Sequence, residues 1–564
     1  MKAKKMYKAE RMRDLRELVT RADRLYGDKI FCKQIGPGKK IEEYTYHQLY
    51  SDMNGFGTKL LDMNLKDAHV ALLGENSYEW VVSYLAVLNG VGVVVPLDKE
   101  LTELNLANQI NKSDCKAILC TKTYAAAMAH ILPMCPQVEV CIVINATEKH
   151  ETFPTMQELI QEGNQLLESG EKAYLYQHID IYKMTEILFT SGTTGANKGV
   201  MLSHNNLTAV VYSAMRLIRP GDGAAFSVLP INHSYECSCH ILPNMYLGTT
   251  ICFNDSLKHV TQNMQLFQPS FAIMVPMFLE AMMRAIWVEA EKKHLTRHVK
   301  LGIFVSNIAL KFGIDLRRKL FKPIHQNFGG NLTQIVCGGA PLRKELIDQF
   351  DSIGINVVNG YGITECAPLV STNCTMWKNN ATVGVIVPTC KVRVNEGGEI
   401  EVKGENVMLG YYNDPESTAV SFTPDGWFKT GDLGRLDKNG FLYITGREKN
   451  LIILPNGKNV SPEEIEELIA AKMPLVKEVV VFALVDGNHD DSRICAACYL
   501  DEDYISEHNI VNPEAMLRSE IRNINKFLPK YKQVTDVRVM EVEFEKTTTK
   551  KIKRQTVQKE LNHV

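Results

Sequence analysis

Up to about residue 445 the chain alternates helix-like stretches with short runs that are apolar at nearly every position. The runs include 69–74 (HVALLG), 92–98 (GVVVPLD), 116–120 (KAILC), 138–144 (VEVCIVI), 186–190 (EILFT), 270–276 (SFAIMVP) and 333–339 (TQIVCGG). A strand with one wet face alternates polar and apolar residues. A run without alternation is buried on both faces, as parallel strands covered by helices are. The pattern therefore predicts an α/β fold of large size with mostly parallel sheets. From 391 to 445 it changes to alternating strands broken by glycine turns (GGEIEVKG, GWFKTGDLGRL, KNGFLYITG), which reads as an antiparallel, barrel-like region. Beyond Gly446 it changes again. A helix opens with Ser461 as N-cap, Pro462 in the first helical position and Glu463 and Glu464 in the first turn. Strands at 476–485 and 493–500, a helix after Pro513 and a basic end complete a small α+β domain. The expected division is a large domain over 1–446, with the barrel-like part at 391–445, and a small domain over 447–564.

The uncharged stretch Trp80–Leu97 is borderline in length for a membrane span, but Asn89, Gly90, Gly92 and Pro96 interrupt it. It predicts a buried helix, a turn, and a buried strand at Val91–Val95. No membrane span is expected, which leaves room only for peripheral contact with a membrane. The 564 residues carry a net charge of −2, so the chain has no overall electrostatic reason to coat nucleic acid or an anionic membrane, which leaves only local patches open. The charged start MKAKKMYKAERMRDLRELV lacks the apolar core of a signal peptide. Fourteen cysteines without a secreted-scaffold spacing fit reduced thiols and a cytoplasmic protein. Cys495-Ala-Ala-Cys498 sits in an apolar strand-like run with no second CxxC. Cys237-Ser-Cys239-His240 has the wrong spacing for a zinc knuckle. Both pairs read as buried core.

The strongest chemical signal is Thr190-Ser191-Gly192-Thr193-Thr194-Gly195-Ala196-Asn197-Lys198-Gly199, directly after a strand-like run. Glycines let backbone N–H groups converge, hydroxyls add donors and the lysine adds a cation, which suits a polyphosphate. It is not the GxxxxGK[ST] loop, because Lys198 is followed by Gly199. A polar surface turn is the plainer reading of this run alone. Four further segments follow in order: Leu229-Pro-Ile-Asn-His233; Gly338-Gly339-Ala340-Pro341; Asn359-Gly-Tyr361-Gly-Ile-Thr364-Glu365; and Trp427-Phe-Lys-Thr430-Gly431-Asp432 with Gly446-Arg447-Glu448-Lys449.

With these five segments in order, the chain resembles the AMP-forming acyl-adenylating superfamily of acyl-CoA synthetases, luciferases and peptide-synthetase adenylation domains. The resemblance runs from about Glu43 to Thr556. It implies that a carboxylate attacks the α-phosphate of ATP to give acyl-AMP and pyrophosphate, after which a thiol displaces AMP. It also implies ATP, Mg2+ and coenzyme A as the small molecules used, and a small C-terminal domain that moves between the two steps. By the same resemblance, residues 190–198 would wrap the β- and γ-phosphates, and Tyr361 would face adenine with Gly339, Ala340 and Pro341 as the opposite wall. Asn359 would bond the adenine amino group, Thr364 would donate to the α-phosphate, and Glu365 would hold Mg2+. Asp432 would accept from the ribose hydroxyls, Arg447 would donate nearby, and His233 would line the boundary between acyl tunnel and α-phosphate. Lys449 would be the hinge. The segment 545–554 resembles the family's last motif, and register matches Lys551 to the lysine that stabilises charge during adenylation. That segment departs from the motif at Thr548, where proline is usual, and at Lys550, where glycine is usual, so Lys550 competes for the role. Asn197 likewise stands where the phosphate-loop motif usually has proline.

LPINHSYE has no Asp before its Ser, which disfavours an amino-acid substrate, and with SFAIMVPMFLEAMM it looks like the fatty-acyl branch. GREKNLIILPNGKNVSPEEIE looks like bacterial long-chain acyl-CoA synthetases. The expected partners are a medium- or long-chain fatty acid and CoA. Two alternatives stay open: transfer to the phosphopantetheine of an acyl carrier protein, and a non-enzymatic nucleotide-binding homologue.

Overall fold

The computed structural model describes residues 5–146, 148–190, 197–454, 458–485, 492–546 and 552–562. The chain forms two compact units, one of residues 1–391 with 402–428 and one of 392–401 with 429–564.

The first unit carries two large sheets, built from the runs that are apolar throughout. One has the strand order Gly410–Tyr411, Lys198–Ser203, Met184–Thr190, Gly92–Leu97, Ala68–Leu73, Cys115–Cys120, Val140–Val143. Its last five strands are parallel, and 198–203 and 410–411 add antiparallel at one edge. The other is parallel from Asn356–Gly362 through Gln334–Cys337, Phe271–Met274, Ala225–Ser227 and Ile251–Phe253 to Ile30–Ile35. Antiparallel strands close both of its edges. Val70, Ala71 and Leu72 are consecutive and all fully buried, which requires cover on both faces of the sheet. Trp80–Leu97 resolves into helix Tyr78–Ala86, a π-type turn Val87–Val91 and strand Gly92–Leu97. No helix among the described residues is long and apolar enough to cross a membrane.

The second unit holds most of a four-stranded sheet of order Cys390–Val394, Glu399–Gly404, Phe428–Leu436, Leu442–Arg447. The antiparallel ladder between its last two strands runs from Leu436↔Leu442 to Asp432↔Arg447. This ladder joins the alternating segment to the strand that leads into the C-terminal part of the chain, within the second unit. Further on, Val476–Val485 pairs antiparallel with Ser492–Leu500, which pairs parallel with Asp536–Met540. Helices Pro462–Lys472 and Pro513–Asn525 accompany this sheet. Cys495 and Cys498 lie three residues apart on one strand and enter different apolar clusters, with Phe482 and Phe544 in one case and Ile494 and Leu517 in the other. Opposite faces of a strand cannot share a metal ion.

Candidate functional site

Strands Met184–Thr190 and Lys198–Ser203 form an antiparallel hairpin in which Thr190 pairs with Lys198. Ser191, Gly192, Thr193, Thr194 and Gly195, together with Ala196, lie outside the described residues. The arms fix where that run leaves and re-enters the sheet. Lys112 Nζ donates to the Asn197 carbonyl at 2.6 Å. Lys198 Nζ stands 4.7 Å from the centroid of the Tyr411 ring, a cation–π contact. Tyr411 sits on the edge strand paired with Val200, and its hydroxyl donates to Glu365 Oε1 at 3.0 Å. The Glu365 carbonyl accepts from the Met408 N–H at 2.9 Å. Burial, reinforced by the Glu365 carboxylate, pushes the Tyr411 phenol well above its ordinary range, so it remains a donor at any ordinary pH.

Glu365 belongs to the 3-10 turn Thr364–Cys366, which Thr364 opens just beyond strand Asn356–Gly362. On that strand Asn359 is buried, pairs in register with Cys337, and donates from Nδ2 to the Thr382 carbonyl at 3.4 Å. Tyr361 follows, half-buried, opposite Ser371. The register with Cys337 brings Gly338-Gly339-Ala340-Pro341 off its own strand end beside Gly360. A Cβ on Gly338 would meet the Tyr235 hydroxyl oxygen at 3.1 Å and the Gly360 carbonyl at 3.3 Å, so any larger residue there would press on both neighbours. Gly339 has φ +82°, in the left-handed region. His233 Nδ1 accepts from the Tyr235 N–H at 3.2 Å, which caps the short turn Ser234–Glu236. An acceptor Nδ1 puts the proton of the neutral ring on Nε2. Three of the expected segments thus converge outside the carboxyl ends of parallel strands, where open α/β sheets bind ligands.

The same unit buries further ionisable side chains. Glu236 Oε1 and His240 Nδ1 are 2.7 Å apart with both side chains fully buried. Burial pushes the Glu186 carboxyl up to about 8, with the nearby Tyr84 hydroxyl opposing the shift.

The AMP-binding enzyme family model matches residues 19–412, and the model of the AMP-binding enzyme C-terminal domain matches 449–563. The chain belongs to the AMP-binding enzyme family. Among its relatives, the mouse long-chain-fatty-acid–CoA ligase ACSBG1 is 28% identical over 78% of this chain and 65% of its own length. The Mycobacterium bovis long-chain-fatty-acid–CoA ligase FadD15 is 27% identical over 73% of this chain and 70% of its own. The chain therefore spans about two thirds of the length of the curated relatives it matches. A solved anthranilate CoA ligase, AuaEII in complex with anthranoyl-AMP, superimposes with a TM-score of 0.78 at 17% identity, covering 98% of each chain. At that identity the likeness speaks for the fold.

The second unit of this AMP-binding enzyme carries its own set of polar groups. Asp432 is 3% exposed and pairs with Arg447, whose Nε lies 2.7 Å from Asp432 Oδ1. The Asp432 N–H donates to Thr430 Oγ1 at 3.1 Å, and Thr430 in turn donates to the Ile400 carbonyl at 2.7 Å. Lys449 lies in the 3-10 turn Glu448–Asn450. Ser461 stands at the N-cap position of helix Pro462–Lys472, yet makes no capping bond there. Its hydroxyl goes to the Thr445 carbonyl and to Glu463 Oε2, both at 2.9 Å. Lys550 and Lys551 lie outside the described residues. Their flanks are fixed: Lys546 bridges to Ile552, and Arg554 donates from both terminal nitrogens to Glu466, at 2.6 Å each.

The sequence reading missed Tyr411. Its only local signal was a Gly-Tyr-Tyr-Asn turn, and its partners Lys198 and Glu365 are far away in sequence. No group of three His, Cys, Asp or Glu residues that could hold a metal occurs among the described residues. A single hard-oxygen carboxylate such as Glu365, completed by phosphate oxygens and water, is the donor set Mg2+ commonly takes. The site therefore fits that ion in the presence of a nucleotide.

Proposed function

We propose that this chain activates a medium- or long-chain fatty acid with ATP and passes the acyl group to CoA, releasing AMP and pyrophosphate. The observation that carries this reading is the convergence of Lys198, Tyr411 and Glu365 beside the strands 184–190 and 198–203 that flank the hydroxyl- and glycine-rich run, in a chain of the AMP-binding family. Lys198 supplies a cation for the phosphates of the leaving group, and Glu365 holds Mg2+, which when bound neutralises phosphate charge. Tyr361 and Gly339 to Pro341 flank the adenine, Asn359 accepts from the adenine amino group through its side-chain oxygen, and Thr364 donates to the α-phosphate. His233, with its proton on Nε2, lines the path of the acid. Asp432 and Arg447 serve the ribose, Lys551 stabilises charge during adenylation, and Lys449 is the pivot between half-reactions, with the small domain beginning at 447.

The fatty-acyl assignment draws support from the names of the mouse and mycobacterial relatives and from the absence of an acidic residue before Ser234. A panel of carboxylic acids assayed for AMP formation with CoA tests it. Preference for acetate, an aryl acid or an amino acid overturns the substrate class. No AMP with any acid overturns the enzyme reading, and turnover only with an acyl carrier protein replaces CoA as acceptor.

A further inference from the structure

The helix Thr296–Lys311 of the first unit turns apolar residues outward. Leu301, Phe304, Val305 and Ile308 are exposed by 60, 63, 44 and 40%, and Phe312 just beyond the helix by 78%. Their spacing, i, i+3, i+4, i+7 and i+11, puts them on one stripe. The fold covers a different side of the helix: Ser306 is fully buried, and a Cβ on Gly302 would lie 3.3 Å from the Phe321 ring. That side rests on helices Pro276–Lys292 and Lys344–Ser352. Leu295, Ile314 and Leu320, also exposed, extend the apolar surface at both ends. Concentrated apolar exposure of this kind marks an interaction surface.

The charge around the stripe selects the partner. From Lys292 to Lys322 the sequence has nine Lys or Arg residues against the single acid Asp315, in a chain of net charge −2. Asp315 is already paired with Arg317 at 2.7 Å. Arg297, Lys300, Lys311, Lys319 and Lys322 are exposed and have no ion-pair partner among the described residues. A second copy of this chain docked on the same face would bring like charges together, which costs free energy. Apolar side chains that enter the acyl boundary, flanked by bases that meet acidic headgroups, are the makeup of a helix lying in a bilayer surface.

We propose that the outer face of 295–322 docks the protein onto an anionic lipid bilayer. The bases draw the face to the surface, and the Phe304–Phe312 stripe inserts among the acyl chains. The inference does not depend on the reading of the catalytic site, and its test uses no turnover. The full chain is sedimented with vesicles of pure phosphatidylcholine and with vesicles containing about three tenths phosphatidylglycerol. Binding is expected to the second kind only, and to be released by high salt. The paired substitutions Phe304→Ser with Phe312→Ser, and Lys300→Glu with Lys311→Glu, should each weaken it by at least about tenfold. Both pairs are exposed, so the melting temperature should stay unchanged. Equal binding to both vesicles, no binding, or binding untouched by either pair overturns the proposal. Self-association of the wild type that Phe304→Ser with Phe312→Ser abolishes overturns it in favour of a second copy. Capture of an acidic protein in place of vesicles overturns it in favour of a protein partner.

Discussion

Glu365 in the first unit and Asp432 in the second are both carboxylates proposed to serve the nucleotide, and they are held in opposite ways. Glu365 accepts from the neutral phenol of Tyr411, whereas Asp432, nearly inaccessible, meets the guanidinium of Arg447. A neutral donor fixes a carboxylate without cancelling its charge. A guanidinium fixes it and cancels the charge as well. Glu365 is therefore suited to a cation. Asp432 keeps lone pairs for neutral hydroxyls but has its charge already compensated. The residue type alone does not set the role; the partner does.

The largest expected effect asks whether the second unit contributes more than this compensated pair. Lys551→Ala should slow adenylation by roughly a thousandfold, since a cation about 4 Å from reacting oxygens is worth on the order of 4 kcal/mol near a dielectric of 20. The variant should still convert supplied acyl-AMP and CoA to thioester. Lys449→Pro should do the reverse, because a fixed φ stiffens the pivot. Loss of the same half-reaction by both variants, or a Lys551-type defect in Lys550→Ala alone, breaks the assignment.

Glu365→Gln keeps the size and the bond to Tyr411 but removes the charge, and should cost about a hundredfold in Mg-ATP turnover with the fold intact. Asp432→Asn should weaken nucleotide binding by only about fivefold, roughly one hydrogen bond, and leave the magnesium midpoint where it was. If Asp432→Asn moves the magnesium midpoint as far as Glu365→Gln does, the two carboxylates are not differently specialised.

Glu186 adds a third case, a carboxyl with no cation beside it. Its folded value of about 8 lies above the ordinary 4.5, so the folded protein keeps a proton that the unfolded chain releases. That contribution to stability is complete below about 4.5 and is lost as pH rises towards 8, at roughly 1 kcal/mol per pH unit. Glu186→Gln, which cannot ionise, should gain about 2 kcal/mol relative to wild type between pH 5 and pH 7. Thermal unfolding across that range checks it. A difference independent of pH means that Glu186 is ionised in the fold.

What the sequence disclosed follows from how local each signal is. Runs such as Ala68–Leu73 and Gly92–Leu97 were legible because burial on both faces removes polar residues from every position. Asn89, Gly90, Gly92 and Pro96 were enough to break Trp80–Leu97 into helix, turn and strand. The alternation in 391–445 gave the strands but not their partners, because the ladder from Asp432 to Arg447 is a matter of pairing and not of pattern. The outward stripe of helix Thr296–Lys311 was equally hidden. Periodicity shows that a helix has an apolar face, but only the fold shows that the face is left uncovered.

Tyr411 is the clearest case of a residue whose role no local pattern discloses. The phenol and the carboxylate it holds are 46 residues apart, and the lysine over its ring is more than 200 residues away. Tyr411→Phe keeps the ring under Lys198 and removes only the donor to Glu365. The carboxylate then keeps its charge but loses one positional constraint, worth about 1 kcal/mol as a net hydrogen bond. The magnesium concentration for half-maximal turnover should rise about fivefold, with turnover recovering at saturation. Tyr411→Leu removes the ring as well, and with it a cation–π contact of about 0.5–1 kcal/mol, so the ATP requirement should rise too. If Tyr411→Phe lowers saturated turnover and leaves the magnesium midpoint alone, the hydroxyl does not position Glu365. The contrast between a carboxylate held by a neutral donor and one held by a cation would then lose its meaning for the metal.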